Sequence, residues 1–304
     1  MARNAALQVG RLPVIRLVRP RQWVKNLLVF VPVLAAHLVP TGIQRIQLVF
    51  EFLAISFTAS AVYVINDIFD AESDRLHPTK KNRPIAAGEI KTQSAINTAI
   101  VLMVLAALLA GHVNAAFIAW LVGYFVLTCL YTFWLKQLVL VDCFTLATLY
   151  TFRILAGAAV VNIQVSFWLL ACSGFLFLSL AFAKRYGEIA VNISQGREHS
   201  LGRGYQNSDA NLILNFGVGS GLIATLVLAL YVNSGSIVEL YRTPFVIWGT
   251  VPILLLWIFR IWLKTHRGEI ADDPLLYATK DPLSIVAGLL VAALVVIGAE
   301  GWIV

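Results

Sequence analysis

The chain has 304 residues, of which 59% are hydrophobic and only 13% charged, where ordinary globular chains carry about 25% charge. That composition excludes a water-soluble domain, and its apolar runs of about 20 residues are long enough to cross a bilayer as helices, while their continuity excludes the alternating pattern of a membrane barrel. The formal net charge of +7 does not by itself imply nucleic acid, and no nucleic-acid partner is expected; the placement of the charge decides its meaning.

The first 22 residues carry Arg3, Arg11, Arg16, Arg19 and Arg21 and no acid, the first acidic residue being Glu51. With no serine and no cleavage-like site before the first apolar run, this reads as a retained basic cytoplasmic arm over 1–23, lying on anionic lipid. Nine spanning helices are expected, at about 24–39, 48–66, 93–111, 115–135, 139–161, 166–184, 211–232, 245–263 and 283–303. Trp23, Trp134, Trp168 and Trp302 fall near the proposed ends, where an aromatic belt sits. Pro32 is expected to kink the first helix and Pro252 the eighth. Cys129, Cys143 and Cys172 lie inside apolar runs with no paired spacing and read as small buried hydrophobes.

With the N-terminus inside, 20 of the 23 Lys and Arg fall in the arm, in 75–91, at Lys136, in 184–203 and in 260–280. Only Arg45 and Arg242 are left outside, with Arg153 within a span. The skew puts the N-terminus and the polar loops on the cytoplasmic side of an inner (plasma) membrane.

One polar island interrupts the hydrocarbon, from Tyr63 to Ile90. It opens Asn66-Asp67-x-x-Asp70-x-x-x-Asp74 and continues into Arg75, His77, Lys80, Lys81 and Arg83. On a helix, Asp67, Asp70 and Asp74 share one face within two turns. Three stacked like charges repel unless a hard cation sits among them, and Mg²⁺ prefers carboxylate oxygens together with substrate phosphate. Acids emerging from a long apolar run mark function; the basic run is also consistent with flanking positive charge.

A second polar stretch begins Lys184-Arg185-Tyr186-Gly187-Glu188 and becomes Gly- and Ser-rich with Arg197 and Arg203, a composition suited to phosphate. Lys184 and Glu188 are i, i+4 neighbours, as in a helix-surface ion pair. Asp142 and Arg153, three helical turns apart in the fifth span, serve either as structural salt-bridge partners or as substrate contacts. Lys25 either snorkels or points at a phosphate. The five histidines show no ligand spacing, and no phosphate-binding loop, dinucleotide fingerprint or nucleophile elbow is present. No repeat or linker divides the chain, so 1–304 reads as one transmembrane catalytic domain with cytoplasmic active-site loops at 67–92 and 185–210.

The Asn66–Asp74 pattern at the end of the second of about nine helices resembles the first aspartate motif of the UbiA-type intramembrane prenyltransferase superfamily. The resemblance implies an all-α ring of transmembrane helices around a central cavity, with aspartates holding Mg²⁺ against a diphosphate. Most members carry a second motif, D-x-x-x-D, after the sixth helix; here Lys184-Arg185-Tyr186-Gly187-Glu188 stands instead. RPRQWVKN (19–26), DRLHPTKKNRPIAAG (74–88), LKQLVLVD (135–142) with RILAGA (153–158), and KRYGE (184–188) are similar to the decaprenyl-phosphate phosphoribosyltransferase branch.

That branch implies 5-phosphoribosyl-1-diphosphate as donor, a polyprenyl (decaprenyl) phosphate in the bilayer as acceptor, and diphosphate as leaving group, on the route to cell-wall arabinan. It implies catalytic Asp67, Asp70 and Asp74, holding Mg²⁺ with Asn66, and Lys80, Arg83, Lys184 and Arg185 on donor phosphates. Tyr186 and Glu188 then meet ribose hydroxyls, and Lys25 and Arg153 the acceptor phosphate. The alternatives are prenyl transfer to an aromatic acceptor and a cation transporter; the latter would place its acids near mid-bilayer rather than at one face. A homo-oligomer is left open.

Overall fold

The protein is seen in a computed structural model that describes residues 13–75, 80–196, 203–270 and 273–300. Among these there is no strand, and eight helices are long and apolar enough to cross a membrane. In chain order they are α1 (Gly42–Phe69), α2 (Thr92–Gly111), α3 (Ala115–Phe133), α4 (Val141–Val161), α5 (Phe167–Ser194), α6 (Ala210–Val232), α7 (Thr250–His266) and α8 (Pro282–Glu300). Short 3₁₀ turns, Asn207–Asp209 and Pro244–Gly249, lead into α6 and α7. All eight coincide with expected spans.

The ninth expectation, a helix over 24–39, does not form as such. A 3₁₀ helix, Pro20–Phe30, is followed by a five-residue α-helix, Val31–Ala35. Its neighbour gives a physical reason. Trp23 Nε1 donates to Ser60 Oγ at 2.9 Å, and Asn26 Nδ2 donates to Ser56 Oγ at 2.9 Å. Residues three apart line up on a 3₁₀ helix and rise about 6 Å; residues four apart on an α-helix rise the same about 6 Å. The two ladders are therefore commensurate only if the N-terminal piece winds as 3₁₀. Pro32 is the second residue of the five-residue α-helix, in its first turn. Pro252 likewise stands in the first turn of α7, where its missing N–H costs nothing.

The chain divides into two compact units, the first comprising residues 1–31, 40–132 and 156–162, the second the remainder. In the first, α1 starts on a capping box: Gln44 N–H donates to Thr41 Oγ1, and Thr41 N–H donates to Gln44 Oε1. The buried stripe Ala95, Ala99, Leu102, Ala106 and Ala110 on α2 recurs at helical spacing, and its small side chains let α1 approach closely. Ala61, Val64, Leu17 and Ile85 complete that core. Ile96, Ile100, Val104 and Leu108 on the other side of α2 remain exposed, as lipid-facing residues do. Trp23 is half-buried against α1, and Trp302 lies outside the described residues.

In the second unit α5, α6 and α7 meet at one knot. Trp262 Nε1 donates to Ser179 Oγ at 3.0 Å, and that hydroxyl donates to the Gly217 carbonyl at 2.7 Å. A Cβ at position 217 would collide with the Trp262 ring, so only glycine fits. The cysteines are free; Cys143 is buried, Cys129 and Cys172 half-buried.

Helix α8 buries only Ser284 and Gly298 among its residues, so its N-terminal cap matters more than usual. Asp281 accepts from Ser284 N–H at 3.0 Å and Ser284 Oγ at 2.9 Å, and pairs with Arg260 at 2.8 Å. The Arg260 guanidinium, helped by Ser284 and Tyr277, holds the Asp281 carboxyl well below the usual carboxylate range. Because the folded value is depressed, the stabilisation is present above the unfolded value of about 3.9 and is lost as pH falls through the folded one. Asp281→Asn should therefore lower the melting temperature at pH 7. The gap to wild type should close only in strong acid, read by thermal melts of both proteins from pH 7 downwards; a gap that closes already at pH 5 contradicts this.

Candidate active site: two charged clusters

The first cluster forms where α1 ends. Asp67, 1% exposed, lies in the last turn of α1, Asp70 is its C-cap, and Asp74 sits in the short helix Ala71–Arg75. Backbone hydrogen bonds from Asp70 N–H to the Asn66 carbonyl at 2.9 Å and from Asp74 N–H to the Asp70 carbonyl at 2.8 Å carry helical spacing across the one-residue break. Asn66 Nδ2 donates to Asp70 Oδ2 at 2.8 Å. Arg83 Nη1 instead bridges Asp67 Oδ1 at 3.1 Å and Asp74 Oδ2 at 2.6 Å. Asp67 and Asp74 are thus brought together, on a guanidinium, and Asp70 is turned to Asn66.

A second arginine was not foreseen from the sequence. Arg19 Nη2 lies 2.6 Å from both carboxylate oxygens of Asp67, with its guanidinium 5.5 Å from the centre of the Tyr63 ring. Its backbone is left-handed, φ 55°, immediately before Pro20. A branchless Gly takes that conformation freely; an arginine holds it at a cost, which marks a constrained position. Arg16 pairs with Glu89 at 2.8 Å, and Leu17 is wholly buried. Residues 13–23 therefore have partners in the first unit, while Val14 and Ile15 stay exposed; residues 1–12 lie outside the described residues. The sequence signal was the Arg-Pro dipeptide, whose meaning appears only with its partner in place. Lys25 is buried in the 3₁₀ helix, and Lys80 is exposed. His77 lies outside the described residues.

Among the described residues no three of His, Cys, Asp and Glu come together as a group able to hold a metal. The donor chemistry nevertheless fits a divalent cation. Asp67 and Asp74 are hard oxygen donors that share Arg83, with Arg19 also on Asp67. Asn66 and Asp70 add an amide and a carboxylate beside them.

The second cluster belongs to the second unit. The segment 184–188, expected as loop, is helical, since α5 continues to Ser194. Arg185 is fully buried; its Nη2 meets Asp142 Oδ2 at 2.6 Å, and its Nη1 meets Glu188. Asp142, equally buried, stands in the first turn of α4, where a carboxylate also answers the helix dipole. Arg203 closes the group, 3.2 Å from Glu188 and 3.5 Å from Asp142. Tyr205, 1% exposed, donates to Asp142 Oδ1 at 2.6 Å and accepts from Leu140 N–H at 2.8 Å. Burial first, then Cys143 and Asp142, pushes the Tyr205 phenol well above its ordinary value, so it stays a donor.

These partners replace the expected Lys184–Glu188 pair. Lys184 Nζ lies 3.8 Å from Asp273, which also accepts from Tyr150 Oη at 3.2 Å. Arg153, 5% exposed, donates to the Leu149 carbonyl and lies over the Tyr150 ring. Tyr186 shares a hydrogen bond with His266 Nδ1 at 2.8 Å. Asp142 and Arg153 thus each have their own partners despite sharing a helix. Tyr205 and Asp273 carried no sequence signal beyond their residue type.

The model described as the UbiA prenyltransferase family matches residues 28–280. The chain belongs to that family. This bears out the resemblance drawn from the Asn66–Asp74 pattern and makes the chain a multi-pass membrane transferase. Among its UbiA relatives it is 34% identical over 268 residues to nodulation protein NoeC of Azorhizobium caulinodans, covering 88% of this chain and 87% of that one. It is 34% identical over 279 residues to protein y4nM of Sinorhizobium fredii, of whose length it spans about half, 54%. It is 36% identical over 180 residues to decaprenyl-phosphate phosphoribosyltransferase of Mycobacterium tuberculosis, covering 58% of this chain and 60% of that one. A solved UbiA homologue from Archaeoglobus fulgidus, bound to DMAPP and Mg²⁺, shares the fold with a TM-score of 0.70 at 18% identity, over 94% of this chain and 98% of that one.

Proposed function

We propose that this UbiA-family enzyme transfers a 5-phosphoribosyl group from 5-phosphoribosyl-1-diphosphate to a polyprenyl phosphate of decaprenyl type. The bond between ribose C1 and the diphosphate oxygen breaks, a bond from C1 to an acceptor phosphate oxygen forms, and diphosphate leaves. The observation that carries this reading is the second cluster. Where most family members carry D-x-x-x-D, this chain carries Lys184-Arg185-Tyr186-Gly187-Glu188, and two arginines, Arg185 and Arg203, surround Asp142 and Glu188. A donor with an additional phosphate dianion calls for cations there. The M. tuberculosis relative, by its name, carries out such a transfer.

Mg²⁺, when bound, neutralises charge developing on the departing diphosphate. Asn66, Asp67, Asp70 and Asp74 are the residues we assign to hold it. Arg19 and Arg83, relieved of their carboxylates, then turn to phosphate oxygens, and Lys80 and Lys184 add point charges. Arg185, being buried, acts through Glu188 by fixing its orientation. Glu188 and Tyr186 accept from or donate to ribose hydroxyls. Lys25 and Arg153 orient the acceptor phosphate, whose oxygen is already nucleophilic and requires no base. The distribution of basic residues supports an N-terminus and charged clusters on the cytoplasmic side; the place of the reaction in an inner membrane, feeding arabinan precursor synthesis, is part of the same proposal.

The test is purified protein in nanodiscs with labelled phosphoribosyl diphosphate and decaprenyl phosphate. Label should become lipid-soluble with Mg²⁺ and not with EDTA. Label transferred instead from a prenyl diphosphate to an aromatic acceptor overturns the proposal in favour of ordinary prenyl transfer.

A further inference from the structure

We infer that Arg203 selects a phosphorylated sugar as donor, exchanging its contacts to Glu188 and Asp142 for the 5-phosphate; the inference rests on the phosphoribosyl-transfer reading above. The members of the second cluster differ in access. Arg185 and Asp142 have no exposed side-chain surface, whereas Arg203 is 19% exposed and Glu188 30%. A buried ion pair broken on one side leaves a stranded charge, so Arg185 stays with Asp142. The Arg203–Glu188 pair is the more accessible one, so Arg203 can leave Glu188 at less cost than Arg185 can leave Asp142.

What Arg203 cannot do is wander. Its neighbour Gly204 lies so close to residues 137–139 that a Cβ would stand 2.9 Å from both the Gln137 carbonyl oxygen and Val139 Cγ2. The next residue, Tyr205, is pinned by Asp142 and by Leu140 N–H. A guanidinium on an anchored backbone loses little freedom when it takes a ligand. Its planar fork matches phosphate bidentately, which the point charge of Lys184 does not. Glu188, released from Arg203 but still held by Arg185, is left to accept from ribose hydroxyls. The charges of Asp142, Glu188, Arg185 and Arg203 balance without a ligand, so a neutral or singly anionic tail gains nothing by displacing Arg203, and a dianion does.

The experiment uses full-length protein in nanodiscs, with ribose 5-phosphate and inorganic diphosphate as separate competitors against phosphoribosyl diphosphate. In Arg203→Ala the inhibition constant for ribose 5-phosphate should rise by about 10- to 100-fold, the scale of a lost hydrogen bond to a charged group. The constant for diphosphate should stay within about twofold. Arg203→Lys keeps the charge without the fork and should show a several-fold rise; it also serves if the alanine variant does not fold. Unchanged constants in both variants, or an equal loss for both competitors, overturn the inference while leaving the proposed reaction standing. Wild-type protein that binds neither phosphoribosyl diphosphate nor ribose 5-phosphate overturns both.

Discussion

If the proposed function holds, Asp67→Ala should lower phosphoribosyl transfer by about 10²- to 10³-fold, the scale of losing one stabiliser of leaving-group charge. It will also weaken Mn²⁺ binding followed by electron paramagnetic resonance, a readout independent of turnover. Asp67 is singled out because it is nearly inaccessible, yet two guanidiniums converge on it. The substitution strands Arg19, while Arg83 keeps Asp74. Some stability is therefore lost with activity, about 1–3 kcal/mol for an unpaired, partly buried donor. The double variant Arg19→Gln, Asp67→Ala separates the two effects. It should regain melting temperature and remain inactive. Turnover that recovers with stability would show Asp67 to be a scaffold residue and remove it from the proposed chemistry.

The second large effect is on stability. Asp142→Ala should destabilise the protein by about 3–5 kcal/mol, because Arg185 then lies fully buried without its main counter-charge. Glu188 offers only partial relief, since it is 30% exposed and shared with Arg203. Tyr205→Phe, which deletes one donor and strands Leu140 N–H, should cost less, about 1–2 kcal/mol. Replacing the pair by apolar residues, Asp142→Leu with Arg185→Met, should recover much of the loss, as buried pairs are expensive to break and cheap to replace. Equal melting temperatures for Asp142→Ala and wild type would mean that the network contributes nothing to the fold.

Eight spans were legible because hydrocarbon thickness demands long apolar runs, and such runs are visible residue by residue. The winding of 20–30 was not, since a 3₁₀ helix and an α-helix need the same apolar residues. The choice is made by Ser56 and Ser60, thirty-odd positions away in the sequence. The charged residues divide along the same line. Asn66, Asp67, Asp70 and Asp74 announce themselves by spacing within one stretch. Of their counter-charges, Arg83 lies in that same stretch but Arg19 is 48 positions from Asp67; Asp273 is likewise 123 from its hydrogen-bond partner Tyr150. Only the fold shows that residues written as an arm or a linker are partners of a buried acid. The same holds for Glu188, whose i, i+4 neighbour Lys184 looked like its mate until Arg185 and Arg203 were seen around it.

Helices α1 and α5 are 28 residues each, while the other spanning helices run from 17 to 23. At about 1.5 Å per residue that is about 42 Å, against a hydrocarbon slab of about 30 Å. Measured from the helix starts, the surplus of roughly two turns is where α1 carries Asn66 and Asp67 and α5 carries Gly187 and Glu188. Rigid rods that overshoot the slab set the height of those side chains by bilayer thickness. Vesicles of longer-chain lipids would draw both ends toward the acyl region and desolvate their charges, whereas thinner ones leave them wet. Membrane depth is therefore a dial on this chemistry that no alteration of the polar residues themselves would turn.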